Sequence, residues 1–182
     1  MADFLTDVHT LRAKARQGIM NGPVTAGYGA DLARVIEMLN TALATEIVCT
    51  LRYRQHHFAA KGLNSEPVSQ EFLQHSNEEQ AHADLLAARI AQLGGVPEMD
   101  PAQVAGRAHA EYVPATDLRQ MIQENLVAER IAIASYSEMI EWLGSGDPTT
   151  RRVLEEILAR EEEHAEDMLT FLESDFAPPL TP

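Results

Sequence analysis

Residues 77–84 read NEEQAHAD and residues 161–167 read EEEHAED. Each stretch holds a glutamate followed three residues later by a histidine: Glu79 with His82, and Glu161 with His164. Residues three apart on a helix share a face, so each pair presents a carboxylate and an imidazole side by side. The two pairs lie 82 residues apart. A second pattern repeats at almost the same distance, since Glu46 and Tyr53 recur 83 residues later as Glu129 and Tyr136. One polar set therefore occurs twice, each time in the middle of an apolar helical stripe.

Four segments carry apolar residues at helical spacing between start and stop signals. The first covers residues 31–60, with Asp31 as N-cap and a stripe of Leu32, Val35, Leu39, Ala42, Glu46, Cys49 and Tyr53. The second starts near Ser65 and Pro67, passes through Phe72, His75, Glu79, His82, Leu86 and Leu93, and stops at Gly94-Gly95. The third covers residues 116–143 through Ile122, Leu126, Glu129, Ile133, Tyr136 and Ile140. The fourth opens at Asp147-Pro148, a cap followed by proline, and runs through Leu154, Leu158, Glu161, His164, Met168 and Leu172. Short links around Gly62 and at Gly144-Ser145-Gly146 predict two antiparallel hairpins. Between them lie residues 95–115, punctuated by Pro97, Pro101 and Pro114. Extended at about 3.3 Å per residue, this stretch can run the length of the bundle. The third helix is then expected to start at the same end as the first. The predicted fold is all-α, a four-helix bundle over 31–173 made of two antiparallel hairpins and one long crossover. Residues 1–30 form an extension, a short helix or arm, and residues 174–182 a Pro-rich tail.

A chain of 182 residues has ample length for one domain with its own core. It has no apolar run long enough for a membrane span and no basic-then-apolar start typical of a secretory signal. Cys49 stands alone, which excludes a disulfide frame and a CxxC metal knuckle, so a cytoplasmic location is expected. The net charge of −14 argues against a nucleic-acid or acidic-membrane surface on the body. Arg12, Lys14 and Arg16 outweigh the acids of the N-terminal extension. A short docking helix is preferred there to a DNA-touching arm, and DNA binding is not expected.

Glutamate is rarely buried without a partner, and four carboxylates converging on one core would repel one another. Two divalent cations cancel four negative charges, and two neutral imidazoles complete the set. One glutamate from each of two helices plus a Glu-x-x-His pair from each of the other two matches the known di-iron or di-manganese carboxylate arrangement. Tyr53 and Tyr136 lie two turns from Glu46 and Glu129, where a phenol can hydrogen-bond a ligating carboxylate of the opposite hairpin. The alternative for each is a core tyrosine whose hydroxyl is satisfied elsewhere. His75 reads as a satisfied core or surface histidine, although it could lead iron inward or hold an extra ion. Glu78, Glu162 and Glu163 read as a solvated or cavity-facing surface, Glu124 lies off the Glu129 face, and Cys49 reads as packing.

These residues resemble the ferritin-like superfamily, most closely bacterioferritin and the bacterioferritin-like members of the DNA-protecting mini-ferritins. RIAQLGGVP at 89–97 is also similar to the bacterioferritin hairpin. The resemblance implies a ferritin-like bundle in which Glu46, Glu79, His82, Glu129, Glu161 and His164 ligate two Fe ions per subunit, Glu79 and Glu161 bridging them, with Mn as the alternative metal. It implies a ferroxidase that oxidises Fe(II) with O2 or H2O2 and stores the product. Gln80 stands where bacterioferritin carries its haem methionine, so haem is not predicted. The three prolines of SDFAPPLTP exclude a fifth helix, which favours a homo-oligomeric cage of twelve subunits over one of twenty-four. Ordinary mini-ferritins build the iron site between subunits, whereas this chain supplies all six ligands itself. The competing readings are a di-iron peroxidase or a di-manganese catalase without storage, and then a DNA-coating protein.

Overall fold

The computed structural model of the chain describes residues 7–62 and 65–174. In chain order its helices are α1 (Val8–Ala15), α2 (Leu32–Ala59), α3 (Ser65–Gln92), α4 (Pro101–Arg107), α5 (Leu118–Leu143) and α6 (Pro148–Ser174), with a short 3-10 turn at Ile19–Asn21. Among the described residues there are no strands, and no helix is long and apolar enough to cross a membrane. The Pro-rich tail lies, beyond Ser174, outside the described residues.

Aspartates start three of the long helices by accepting orphan backbone N–H groups of the first turn. Asp31 takes Arg34 N at 3.2 Å, Asp117 takes Gln120 N at 2.9 Å and Asp147 takes Thr150 N at 2.9 Å. Gly94 and Gly144, at φ 82° and 53°, turn the chain out of α3 and α5 in a conformation that β-carbons oppose. The hairpins α2/α3 and α5/α6 pack together through α2 against α5 and α3 against α6. At one end the core holds Leu39, Leu43, Leu86, Ile90, Leu154 and Ile157. At the other it holds Phe72, Met121, Ile122 and Met168 around Tyr53. Burying each large apolar side chain contributes about 1.5–3 kcal/mol, and the two ends together hold open a polar middle.

The crossover corrects two expectations. It is not extended throughout, because Asp100-Pro101 is a cap followed by proline and starts α4, whose Val104 packs on Ala44 and Val48 of α2. Its start is tied to Asn40, which donates to Val96 O at 3.3 Å and accepts from Glu98 N at 2.8 Å. Farther along, Arg52 donates to Glu111 O at 2.9 Å, and His56 Nε2 lies 3.1 Å from Val113 O. The crossover thus climbs α2 from its first half to its last turns, and α5 starts where α2 ends. That reverses the expected placement of the third helix. α3 stops where α2 began, so a connection crossing the bundle delivers the chain to the opposite end.

No residue of α1 is buried, and Val8 and Leu11 stay about half exposed. Docking of the N-terminal extension is made instead by Val24, Tyr28 and Ala30 on the apolar end of the core. The Tyr28 hydroxyl donates to Asp147 at 2.8 Å, and Arg89 donates to both oxygens of that carboxylate at 2.9 Å. Burial opposes the Asp147 charge, but hydrogen bonds from Thr150, Tyr28 and Arg89 win and hold its carboxyl down at about 2. Asp147→Ala would strand a buried guanidinium, at a cost of about 3–5 kcal/mol. A fall in Tm of about 10 °C in a melting experiment is expected, and a fall of only a degree or two would show that Arg89 finds another partner.

Candidate metal centre

The polar middle draws one side of every long helix together. α2 supplies Glu46 and Tyr53, α3 supplies Glu79 and His82, α5 supplies Glu129 and Tyr136, and α6 supplies Glu161 and His164; all eight are buried. Glu46, Glu79, His82 and Glu161 bring one atom each within 4.8 Å of one another, and so do Glu79, Glu129, Glu161 and His164. Glu79 and Glu161 belong to both quartets, so the two clusters form a pair with a shared edge. His82 Nδ1 lies 3.3 Å from Glu46 Oε2, 3.2 Å from Glu79 Oε2 and 2.9 Å from Glu161 Oε1. His164 Nδ1 lies 3.4 Å from Glu79 Oε1.

Imidazole hydrogens alone cannot satisfy this geometry. One imidazole nitrogen carries at most one hydrogen, yet His82 Nδ1 faces three carboxylate oxygens. Among the described residues, Glu46 Oε2, Glu79 Oε1, Glu129 Oε2, Glu161 Oε1 and His164 Nδ1 are buried and meet no partner in hydrogen-bond geometry, although imidazole nitrogens lie close to three of these oxygens. Each orphan costs about 1–3 kcal/mol or more if left so. A centre with bonds of about 2.1 Å places neighbouring ligand atoms about 3.0–3.4 Å apart, which is the spacing found here. Four carboxylates and two imidazoles suit divalent Fe, Mn, Co or Zn. The donor set fits a pair of such ions.

The electrostatics carry the same message. Burial and then repulsion from Glu79 push the Glu46 carboxyl up to about 8. Glu129 and Glu161 are raised by the same two causes, Glu161 strongly. Burial also opposes the Glu79 charge, but contacts with His164, His82 and Glu46 outweigh it and keep that carboxyl well below its usual range. Burial disfavours the imidazolium of His82, yet Glu161, Glu46 and Glu79 push it up to about 12. His164 rises to about 9 through Glu79 and Glu129 despite its burial. The metal-free box therefore holds protons that a cation would displace.

The tyrosines cross between hairpins. Tyr53 donates to Glu129 Oε1 and Tyr136 donates to Glu46 Oε1, fixing one oxygen of each unshared glutamate and leaving the other free. Sequence reasoning missed two further contributors. Glu78 reads from the sequence as a solvated or cavity-facing residue, but its carboxylate lies 2.7 Å from His164 Nε2, where it can hold the ring with Nδ1 turned inward. No signal along the chain pairs these residues, which sit on different helices. Arg52 is buried beside Tyr53, and among the described residues its nitrogens bond neutral groups, including Asn125 Oδ1 at 2.9 Å. Its charge faces Glu129 and Glu79 through space. An arginine next to the tyrosine of the apolar stripe was the available clue. Cys49 is buried among Ala110 and Ala128.

The Ferritin-like domain matches residues 36–175. The chain is 32% identical over 174 residues to the nutrient stress-induced DNA-binding protein of Nostoc sp., covering 94% of each. It is 27% identical over 142 residues to the bacterioferritin of Rhodobacter capsulatus, covering 76% of this chain and 82% of that one. Among solved structures, the dodecameric thioferritin that is the bacterioferritin-related protein of Bacteroides fragilis superposes with a TM-score of 0.77 at 34% identity, over 80% of this chain and 88% of that one. The chain belongs to the ferritin-like domain family.

Proposed function

We propose that this protein is a ferroxidase and iron store that oxidises Fe(II) in pairs at a centre contained in one chain. The observation that carries the reading is the set of orphaned carboxylate and imidazole atoms lying on two quartets with two shared glutamates. Two Fe(II) are the substrate. Each gives one electron to a common acceptor: O2, which takes two protons and leaves as H2O2, or H2O2, which takes two protons and leaves as two waters. Glu79 and Glu161 hold the ions as a pair, and Glu46 with His82 and Glu129 with His164 fix each one separately. The tyrosines and Glu78 would keep these ligands oriented, and binding of the two ions would release the protons held on the raised carboxyls and imidazoles.

The product Fe(III) would pass to the interior of a homo-oligomeric cage and mineralise there. Twelve subunits is the proposed number, supported by the dodecameric relative. Val127, Trp142 and Leu169, each about half exposed, offer apolar surface for contacts between copies. The cytoplasm is the proposed location. DNA contact, suggested by the name of the Nostoc relative, would fall to the exposed α1 with Lys14 and its neighbours Arg12 and Arg16, against a net charge of −14 on the whole chain.

Aerobic Fe(II) loading followed by gel filtration tests the reading. Iron far above two per chain in a cage-sized peak is expected. Iron stopping at about two per chain would favour a di-iron peroxidase without storage, and no retained iron would favour a manganese enzyme.

A further inference from the structure

His75 belongs to no part of the centre described so far, yet it is completely buried. Its ring stacks on that of His164 with centroids 3.9 Å apart and planes 20° apart. Its Nδ1 lies 3.2 Å from the Tyr53 hydroxyl oxygen. That hydroxyl has one hydrogen, and donates it to Glu129. With that hydrogen placed, His75 Nδ1 is the donor to Tyr53, and a neutral ring then carries its lone pair on Nε2. Nε2 points at Glu71 Oε1, 3.3 Å away, and at Asp167 Oδ2, 3.4 Å away. For the neutral ring, three acceptor atoms meet there.

A cation resolves such a meeting. A tetrahedral centre with bonds of about 2.1 Å separates its ligand atoms by about 3.4 Å, matching both distances. A divalent ion and two carboxylates sum to zero, whereas a proton on Nε2 leaves one negative charge without compensation. The Glu71 and Asp167 side chains are 27% and 49% exposed, so the site opens to solvent on one side while His75 closes it on the other. The internal repeat adds an independent argument. The positions that correspond to Glu71, His75 and Asp167 in the other half are Val153, Ile157 and Leu85. The fold accepts apolar side chains at all three, so the polar trio is not a requirement of helix packing.

We infer that Glu71, His75 and Asp167 form a third, mononuclear site for a divalent transition-metal cation, one helical turn from the dinuclear centre and open to solvent. It deepens the proposed function by giving a cation a holding position beside the centre, but its existence does not depend on that reading. His75 links the two, since it stacks on one candidate ligand and donates to the tyrosine that holds another.

The test uses the full chain equilibrated with Zn(II) in excess Mg(II), which occupies carboxylate-only surface sites. Zinc is counted after dialysis and located by anomalous diffraction. The wild type is expected to retain about three zinc ions per chain, with a peak bonded to His75 Nε2. The variant Glu71→Gln, Asp167→Asn keeps the shapes of both side chains and is expected to retain about two, without that peak. Equal zinc in that variant and the wild type, or no peak at His75, overturns the proposal. A parallel variant, Glu79→Gln with Glu161→Gln, reports on the dinuclear centre alone. If it loses no zinc while the peak at His75 stands, the dinuclear reading fails and the third site survives.

Discussion

The double substitution Glu79→Gln, Glu161→Gln slows aerobic Fe(II) oxidation by at least about 100-fold, towards the rate of iron free in buffer, and leaves the helices intact. These two residues are the ones common to both quartets. Glutamine preserves their volume and removes their charge, so two divalent ions would meet two carboxylates instead of four. Groups that merely orient a ligand cost about 10–100-fold when lost, and losing two shared ligands costs more. The metal-free variant supplies a control that a structural role would not pass. In the wild type these carboxylates lie among Glu46, Glu129 and one another, and burial with mutual repulsion raises three of the four. Removing the Glu161 charge relieves repulsion and desolvation, whereas removing the Glu79 charge forfeits its contacts with His82 and His164, so the two effects oppose each other and the Tm of the metal-free variant should change little. Loss of oxidation with a held Tm is the signature of a functional pair. An unchanged oxidation rate would end the ferroxidase assignment, and a Tm lowered by many degrees would mean that the glutamates serve the fold.

The six buried ligand candidates could be named from the sequence because each is an ionisable side chain placed where only an apolar one packs cheaply, and because each has a counterpart in the other half. Repetition did the same for Tyr53 and Tyr136, whose partners lie across the bundle. The residues around the centre whose roles the repeat does not mark lack counterparts. Glu78 corresponds to Arg160 and His75 to Ile157, so the symmetry that exposed the centre hid its one-sided surroundings. Arg52 bonds to Asn125, to a backbone carbonyl of the crossover and to Cys49, contacts that exist only once three elements are in place. The hairpins were legible from capping aspartates and glycine stops. α4 was equally legible in principle, since Asp100-Pro101 carries the signal that Asp147-Pro148 does. Three prolines in a short stretch favour extended chain on sequence grounds and mask that signal. The direction of α5 required only the observation that a crossover ends opposite to where it begins.

The metal-free protein loses thermal stability as pH rises from about 6.5 to 9, and Co(II) reverses the trend. Glu46 stands at about 8 in the fold against an ordinary 4.5, so its protonated form favours the fold, a contribution lost as pH rises from 4.5 through 8. His164 stands at about 9 against 6.5, so its stabilising charge is complete below 6.5 and lost as pH rises through 9. Both slopes have the same sign in this window. His75, pushed down to about 4 by burial and by His164, acts in the opposite sense, but only below 6.5. Glu79, depressed below 4.5, protects the fold on the acid side. Above 6.5 the losses are therefore unopposed by these groups. Metal binding needs the same atoms without their protons, so affinity rises with pH where the metal-free fold weakens. Two sites, each filled at about a thousand times its Kd, add about 4 kcal/mol apiece. For a chain of this length that is a gain in Tm of about 15 °C or more. Melting curves at fixed protein concentration, with and without Co(II) across pH 6.5–8.5, should diverge as pH increases. Parallel curves would mean that the buried protons and the cation do not compete for the same atoms, and the dinuclear centre would have to be abandoned.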